Sequence, residues 1–241
     1  MAHVHRFYLS ETPSDGVSSI TLSREESHHA MRVVRTRVGD DVALFDGQGG
    51  EWTGQVAGLS RNEVSIDVAS ARYESRPNPA VTLIQAWLHR DKLLDEIVRQ
   101  STVLGAAEIC FFRGDHSEKK PKRSDKWERL AIKACKQCGR LWLPRLTVSD
   151  SLSEALAAHG RQHILIAQMD GPHVPIVEAV NGESVAYLVG PEGDFSVSEL
   201  DQAAAAGAKA ISLGDCTYRA EMAAMVGLTL IQHHLGFIGL K

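Results

Sequence analysis

The chain has 241 residues, 44% of them hydrophobic and 23% charged, with 26 Lys and Arg against 30 Asp and Glu for a net charge of −4. That balance argues against a protein held to nucleic acid by bulk positive charge. No apolar run approaches the ~20 residues of a membrane span. Met1 to Arg6 lacks the apolar core of a secretory leader, and four cysteines in a chain of this length need no disulfide framework, so a reducing, cytoplasmic setting is expected.

The first seventy-odd residues read as β-rich. Arg6 to Leu9, Val17 to Leu22, Val42 to Phe45, Trp52 to Val56 and Val64 to Val68 are short runs with β-branched or aromatic content. Asp46-Gly47-Gln48-Gly49-Gly50 and Ser60-Arg61-Asn62 supply turn chemistry between the last three. One helix interrupts them: Ser23-Arg24-Glu25-Glu26 spells a capping box, with Ala30, Val33 and Val34 as its apolar stripe. These elements imply a small barrel-like module over 1–74. Ser75-Arg76-Pro77-Asn78-Pro79 is the linker, since two prolines resist both helix and ladder pairing.

Over 80–241 the rhythm changes to alternating strands and helices. Val81 to Ala86 is a buried strand, Leu93 to Leu104 a helix, Ile109 to Phe112 a strand and Lys126 to Cys138 a helix. Ser151-Leu152-Ser153-Glu154 caps another helix, followed by the strands His163 to Ala167 and Val185 to Val189. Ser196-Val197-Ser198-Glu199 opens an alanine-rich helix stopped by Gly207, Ala210 to Leu213 is the last strand, and Arg219 to Leu235 the last helix. Continuous apolar strands alternating with helices predict an α/β domain, its mainly parallel sheet covered on both faces. Cys135 and Cys138 fall one turn apart inside a helix and are expected to be buried structural thiols. No second Cys or His pair follows at zinc spacing, and His28-His29 and His233-His234 lack acidic or Cys partners, so no metal is expected.

Ligands of such sheets bind at the carboxyl ends of the strands. Two loops there stand out. Gly190-Pro191-Glu192-Gly193-Asp194-Phe195 offers two glycines that let backbone approach a ligand. Leu213 to Glu221 holds Arg219 and Glu221 at a helix start, where an anionic group is favoured. Two ordinary turns, with Glu192 and Glu221 as caps or solvated charges, would read the same. The usual dinucleotide, nucleoside-triphosphate and hydrolase signatures do not occur.

Leu188-Val189-Gly190-Pro191-Glu192-Gly193-Asp194-Phe195-Ser196, followed by Leu213-Gly214 and Arg219-Ala220-Glu221-Met222-Ala223, resembles the paired motifs of the 16S ribosomal RNA uridine N3-methyltransferase family, of the SPOUT class. The resemblance spans nearly the whole chain. Arg6-Phe7-Tyr8, His29, Arg32-Val33-Val34-Arg35, Gly39-Asp40 and Leu44 to Gly47 resemble its PUA-like β-barrel; Asp91-Lys92, Gln100, Leu104-Gly105 and Gln137 to Arg140 resemble its middle motifs. It implies a parallel sheet with a carboxy-terminal trefoil knot, a homodimer, and S-adenosylmethionine as methyl donor. Met169, Leu188, Gly190, Glu192, Gly193, Leu213, Gly214 and Tyr218 would line the donor pocket.

The implied chemistry is displacement on the sulfonium methyl by uracil N3, at a specific uridine of 16S ribosomal RNA in the small ribosomal subunit. Arg219 would stabilise charge on the uracil oxygens, and Glu221 would take the N3 proton, directly or through water, or else cap the last helix. The chain departs from the family where Asp194 stands for a second glycine, Met222 for a threonine, Thr217 and Tyr218 for aliphatic residues and Val103 for an acidic one. A SPOUT enzyme acting on another RNA, and a non-catalytic RNA-binding or assembly paralogue, are the alternatives. For RNA contact, residues 113–145 carry eleven Lys and Arg against four acidic residues, a surplus of seven that leaves −11 elsewhere. Lys119, Lys120, Lys122, Arg123 and Arg140 in this strip, Lys92 nearby, and Arg6, Arg24, Arg32 and Arg35 in the barrel are the expected RNA-binding residues.

Overall fold

Five strands near the amino terminus form one sheet: β1 (His5–Tyr8), β2 (Ser19–Thr21), β3 (Asp41–Phe45), β4 (Gly50–Leu59) and β5 (Val64–Tyr73), in the order β1-β3-β4-β5-β2. Only the β1–β3 pair is parallel. The computed structural model describes residues 4–117, 119, 121–169 and 171–239. Alternation along β4 buries Trp52 and Val56 beside Phe7, Leu44, Val64 and Ile66, which form the core of this unit. The β3–β4 turn closes on Asp46, whose Oδ1 accepts from the backbone N–H groups of Gln48 (2.8 Å) and Gly50 (2.9 Å). The helix expected after Ser23 begins as α1 (Arg24–His28) and continues as a π-helical turn over His29–Val34. Its capping box is only half made. Ser23 Oγ accepts from the Glu26 N–H at 3.3 Å, but the Glu26 carboxylate turns instead to the Lys136 ammonium. A buried charge pair outbids a capping bond that water would otherwise satisfy.

The chain divides into two compact units, Met1–Arg76 with Ile132–Leu143, and Pro77–Ala131 with Pro144–Lys241. Sequence reading gave residues 132–143 to the second domain. They join the first because Cys135 and Leu141 bury against Phe45, with Tyr8, Ile132 and Leu143 packed around them. Of the two thiols expected to be buried, Cys135 is, and burial pushes its pKa up to about 12; Cys138 is exposed. Cys138 is the last residue of its helix.

The second unit holds six parallel strands, β6 (Val81–Ala86), β7 (Glu108–Phe112), β8 (Arg145–Ser149), β9 (His163–Ala167), β10 (Val185–Val189) and β11 (Lys209–Ile211), in the order β11-β9-β10-β6-β7-β8. The intervening helices are α2 (Asp91–Val103), α3 (Asp125–Cys138), whose residues from Ile132 onward belong to the first unit, α4 (Leu152–His159), α5 (Ile176–Ala179) and α6 (Val197–Ala205), and α7 (Ala220–His234) follows β11. The central strands β6 and β10 are buried at every residue, which is why they read as unbroken apolar runs. Sequence reading missed β8 and α5. β8 is an edge strand whose partly exposed residues break the apolar run, and α5 is one turn long. The box at Ser196 is complete, with Ser196 Oγ accepting from Glu199 N–H and Glu199 Oε2 from Ser196 N–H.

β10 fixes α7. The fully buried Tyr187 hydroxyl donates to the Ala223 carbonyl at 2.9 Å, and Gly227 faces the phenol ring so closely that a Cβ there would fall 2.2 Å from the hydroxyl oxygen. The helix that opens with Arg219 and Glu221 is thereby held to the central strand. Among the described residues no helix is long and apolar enough to cross a membrane.

Candidate active site

The carboxyl ends of β6, β7, β9, β10 and β11 point the same way, and the loops leaving them enclose a cavity of about 890 Å³, all of it within the second unit. That volume lies in the range of small-molecule and cofactor sites. Met169, Gly190, Glu192, Gly193, Leu213, Gly214, Tyr218, Arg219 and Glu221 all line it. Leu188 does not: its side chain is fully buried in the core cluster that holds Ile84, Ile166, Ala186 and Phe195.

The loop after β10 is tightly built. Gly190 ends the strand, its carbonyl accepting from Gln85 Nε2 at 3.2 Å, and a Cβ on it would sit 3.1 Å from the Phe195 ring. Glu192 Oε1 accepts from the His89 N–H at 3.3 Å. Asp194, which the resemblance sets where a second glycine is expected, adopts φ +61°, and its carboxylate Oδ1 accepts from the Phe195 N–H at 2.8 Å. Aspartate is among the few side chains that tolerate this left-handed conformation, because it bonds locally to backbone. The departure therefore leaves the turn itself intact.

Arg219 is the N-cap residue of α7, exposed and in extended conformation, and no side chain caps this helix start. Glu221 lies half-buried in the first turn and makes no capping bond of its own. Backbone N–H groups at such a start, with the helix dipole, favour negative charge nearby. Sequence reading missed further lining residues: Trp87, His89 and Arg90 from the β6–α2 loop, Leu93 in the first turn of α2, and His116 with Ser117 after β7. Trp87-Leu88-His89-Arg90 follows the most clearly buried strand in the chain, so the same rule about carboxyl ends pointed to them. The indole N–H of Trp87 is buried without a hydrogen-bond partner among the described residues.

The expected RNA-binding residues separate into groups. In the second unit Lys92, Lys119, Lys122 and Arg123 are exposed, and Lys119 Nζ donates to the His89 carbonyl at 3.2 Å on the cavity rim. Lys120 lies outside the described residues. In the first unit Arg24, Arg32 and Arg35 are exposed, Arg140 is half-buried, and Arg6 is largely enclosed. Arg6 pairs with Glu51 at 2.6 Å and stacks 5.5 Å from the Phe45 centroid, so its charge is already engaged within the protein. An arginine beside buried aromatics reads in sequence like one aimed at phosphate. Among the described residues no group of three His, Cys, Asp or Glu is placed to hold a metal ion.

Residues 75–232 match the RNA methyltransferase domain family, and residues 22–69 match the RNA methyltransferase PUA domain. Ribosomal RNA small subunit methyltransferase E of Rickettsia conorii is 26% identical over 242 residues, covering 95% of both chains. The Synechocystis protein of the same name is 27% identical over 222 residues, covering 89% of this chain and 73% of the relative. Two solved structures superpose closely: a Legionella pneumophila protein in complex with bound S-adenosylmethionine (TM-score 0.84, 26% identity, 96% and 98% of the two chains) and the Neisseria gonorrhoeae ribosomal RNA small subunit methyltransferase E bound to S-adenosylmethionine (TM-score 0.82, 26% identity, 96% and 98%). With the parallel sheet, the PUA domain and the cavity at its strand ends, these matches establish that the chain belongs to the RNA methyltransferase domain family.

Proposed function

We propose that the protein methylates uracil N3 at a specific uridine of 16S ribosomal RNA in the small ribosomal subunit, using S-adenosylmethionine. The observation that carries this reading is the single cavity wall formed by the Gly190–Asp194 loop, the Leu213–Gly214 turn and the uncapped start of α7. The donor fits its lining. Exposed backbone at Gly193 and Gly214 suits a ligand read through main-chain groups, Met169 and Leu213 offer apolar contact, and the unpartnered Trp87 indole can donate to an acceptor. S-adenosylmethionine supplies an electrophilic methyl, so the protein need provide no nucleophile and no metal.

What the chain's own residues provide is alignment and charge. Arg219 orients the base and stabilises negative charge growing on the uracil oxygens, since its guanidinium stays protonated and presents a rigid fork of donors. Glu221, two residues along and lining the same cavity, is one candidate to receive the proton. The order β11-β9-β10-β6, with α7 packed back on β6 and β10, supports a trefoil knot in this half of the chain. The PUA match over 22–69 supports a PUA-like barrel in the first unit, with 75–79 as linker. Exposed Val177, Met222, Leu230 and Phe237, around α5 and α7, support a homodimer. A ribosomal substrate sets the work in the cytoplasm.

The test is transfer of labelled methyl from S-adenosylmethionine to small-subunit particles from cells lacking the gene. The expected product is 3-methyluridine at one position of 16S ribosomal RNA, absent from the deletion strain and restored by the protein. The mark appearing in another RNA would redirect the substrate. No transfer and no donor binding would leave a non-catalytic RNA-binding role.

The exposed basic loop before α3 gives a second expectation. If Lys119, Lys122 and Arg123, with Lys120, contact phosphate, replacing all four by glutamine weakens RNA binding and lowers the slope of log affinity against log salt by about 0.7 to 0.9 per lost contact. An unchanged slope would return the loop to a solvated surface.

A further inference from the structure

We propose that His116 is the catalytic base of this site, its Nε2 taking the N3 proton of the target uracil. The inference rests on the methyltransferase reading above and adds the residue that completes it.

The loop carrying His116 is pinned on three sides. The Gly114 N–H donates to Ser117 Oγ at 3.1 Å, and Ser117 Oγ donates in turn to the Trp87 carbonyl at 2.9 Å. The Asp115 N–H donates to Glu199 Oε1 at 3.1 Å, and Ser196 Oγ to Asp115 Oδ2 at 2.5 Å. The two bonds of Ser117 are buried and therefore shielded from water, the Asp115–Glu199 bond is part-buried, and the Ser196–Asp115 bond is exposed. The loop is thus tied to its neighbours at Gly114, Asp115 and Ser117, and His116 lines the cavity that Arg219 and Glu221 also line. Its Cβ lies 3.3 Å from where a Gly193 Cβ would stand, so glycine at 193 is what lets the imidazole settle there.

The hydrogen bonding selects the tautomer. His116 Nδ1 lies 2.8 Å from the Asp194 carbonyl oxygen, which can only accept, so the ring proton of the neutral form resides on Nδ1. Nε2 then carries the lone pair that a base requires. The same contact raises the imidazole pKa, offset by desolvation and reinforced by the Gly193 carbonyl and the Glu199 and Asp115 carboxylates. Asp194 and Glu192 from the loop after β10, His89 and Arg90 from the loop after β6, and Arg219 and Glu221 at the start of α7 share the cavity. An imidazole, with an ordinary pKa of about 6.5, is better matched to proton removal near neutral pH than a carboxylate at about 4.3.

The step balances. The N3–H bond breaks and its proton moves to Nε2; the electron pair left on N3 forms the N–CH₃ bond, while the sulfur keeps the pair of the broken S–CH₃ bond. The positive charge lost at sulfur ends on the imidazolium, which releases its proton to solvent before the next turnover.

The decisive experiment compares wild type, His116→Asn and Glu221→Gln in single-turnover methyl transfer at saturating donor, from about pH 5.5 to about 8.5. Asparagine keeps a donor where Nδ1 stands and has nothing where Nε2 stands. The wild-type rate should rise with pH to a plateau, and His116→Asn should fall by roughly 10²-fold or more and lose that inflection. Its S-adenosylmethionine affinity by calorimetry and its melting temperature should stay close to wild type, and added imidazole should restore part of the rate to His116→Ala. Nitrogen NMR of the free protein should find the proton on Nδ1. A variant rate near wild type, an inflection that persists in His116→Asn and vanishes in Glu221→Gln, a loss explained by weaker donor binding, or an Nε2–H tautomer would each overturn the proposal. A wild type that neither binds S-adenosylmethionine nor transfers methyl would overturn the methyltransferase reading itself, and this inference with it.

Discussion

Arg219→Ala is expected to reduce single-turnover methyl transfer by roughly 10² to 10³-fold, the usual effect of removing one donor from a developing oxyanion. Arg219 is exposed and its side chain makes no capping bond, so the folded state loses little with it. Melting temperature should stay close to wild type, and S-adenosylmethionine affinity should change less than the rate. Two features of the site point to this split. The residue stands at the N-cap of α7, where the uncapped backbone N–H groups already favour negative charge. The inflection is assigned to another group, so the variant should lower the whole pH–rate profile without moving it. Arg219→Lys should recover only part of the rate, because an ammonium restores the charge but not the planar fork. A transfer rate within tenfold of wild type for Arg219→Ala would remove the residue from the reaction.

The second large effect is expected far from the reacting atoms. Gly227→Ala puts a Cβ 2.2 Å from both Cζ and Oη of Tyr187 and 2.5 Å from its Cε1. The tyrosine cannot retreat, being fully buried and tied to the Ala223 carbonyl; burial also pushes its phenol pKa upward, so the hydroxyl remains a donor. Relief has to come from α7 moving off β10, at a cost of about 1–3 kcal/mol for an overpacked core, read as a lower denaturant midpoint. Since α7 opens with Arg219 and Glu221, donor binding and transfer should weaken as well, although no cavity residue has changed. Adding Tyr187→Leu to Gly227→Ala should return part of the stability, with a coupling of about 0.5–3 kcal/mol in a double-mutant cycle. If Gly227→Ala unfolds at the wild-type midpoint, the contact between helix and strand is softer than its geometry implies.

Asp194 shows how a local departure from a family pattern is resolved. In sequence it is an added negative charge where glycine is usual. In the structure it occupies the left-handed turn that glycine would, with its carboxylate bound to the next backbone N–H. The conformation is the constraint, and aspartate meets it by a different route from glycine. His116 is the opposite case. Nothing in Arg113-Gly114-Asp115-His116-Ser117 marks the histidine as chemical, because what singles it out is a carbonyl 78 residues away.

Much of this protein was legible in one dimension. Period and composition located the strands of the parallel sheet at His163–Ala167 and Val185–Val189 to the residue, because strands buried on both faces must be continuously apolar. Ordered motifs from Arg6 to Ala223 carried the family, and the rule that ligands sit at strand carboxyl ends led to Gly190–Asp194 and Arg219–Glu221. These features depend on neighbours a few residues apart, so sequence determines them. Three others were decided only by tertiary structure: the assignment of residues 132–143 to the first unit, the engagement of Arg6 by Glu51, and the placement of His116 against the Asp194 carbonyl. Each depends on which distant surface a side chain meets. The charge of −4 is likewise only a sum; folding sets Arg6 inside an ion pair and leaves Lys122 and Arg123 at the surface. An electrostatic field depends on where charges stand, and that is settled by packing, which the sequence encodes only through contacts between residues far apart along the chain.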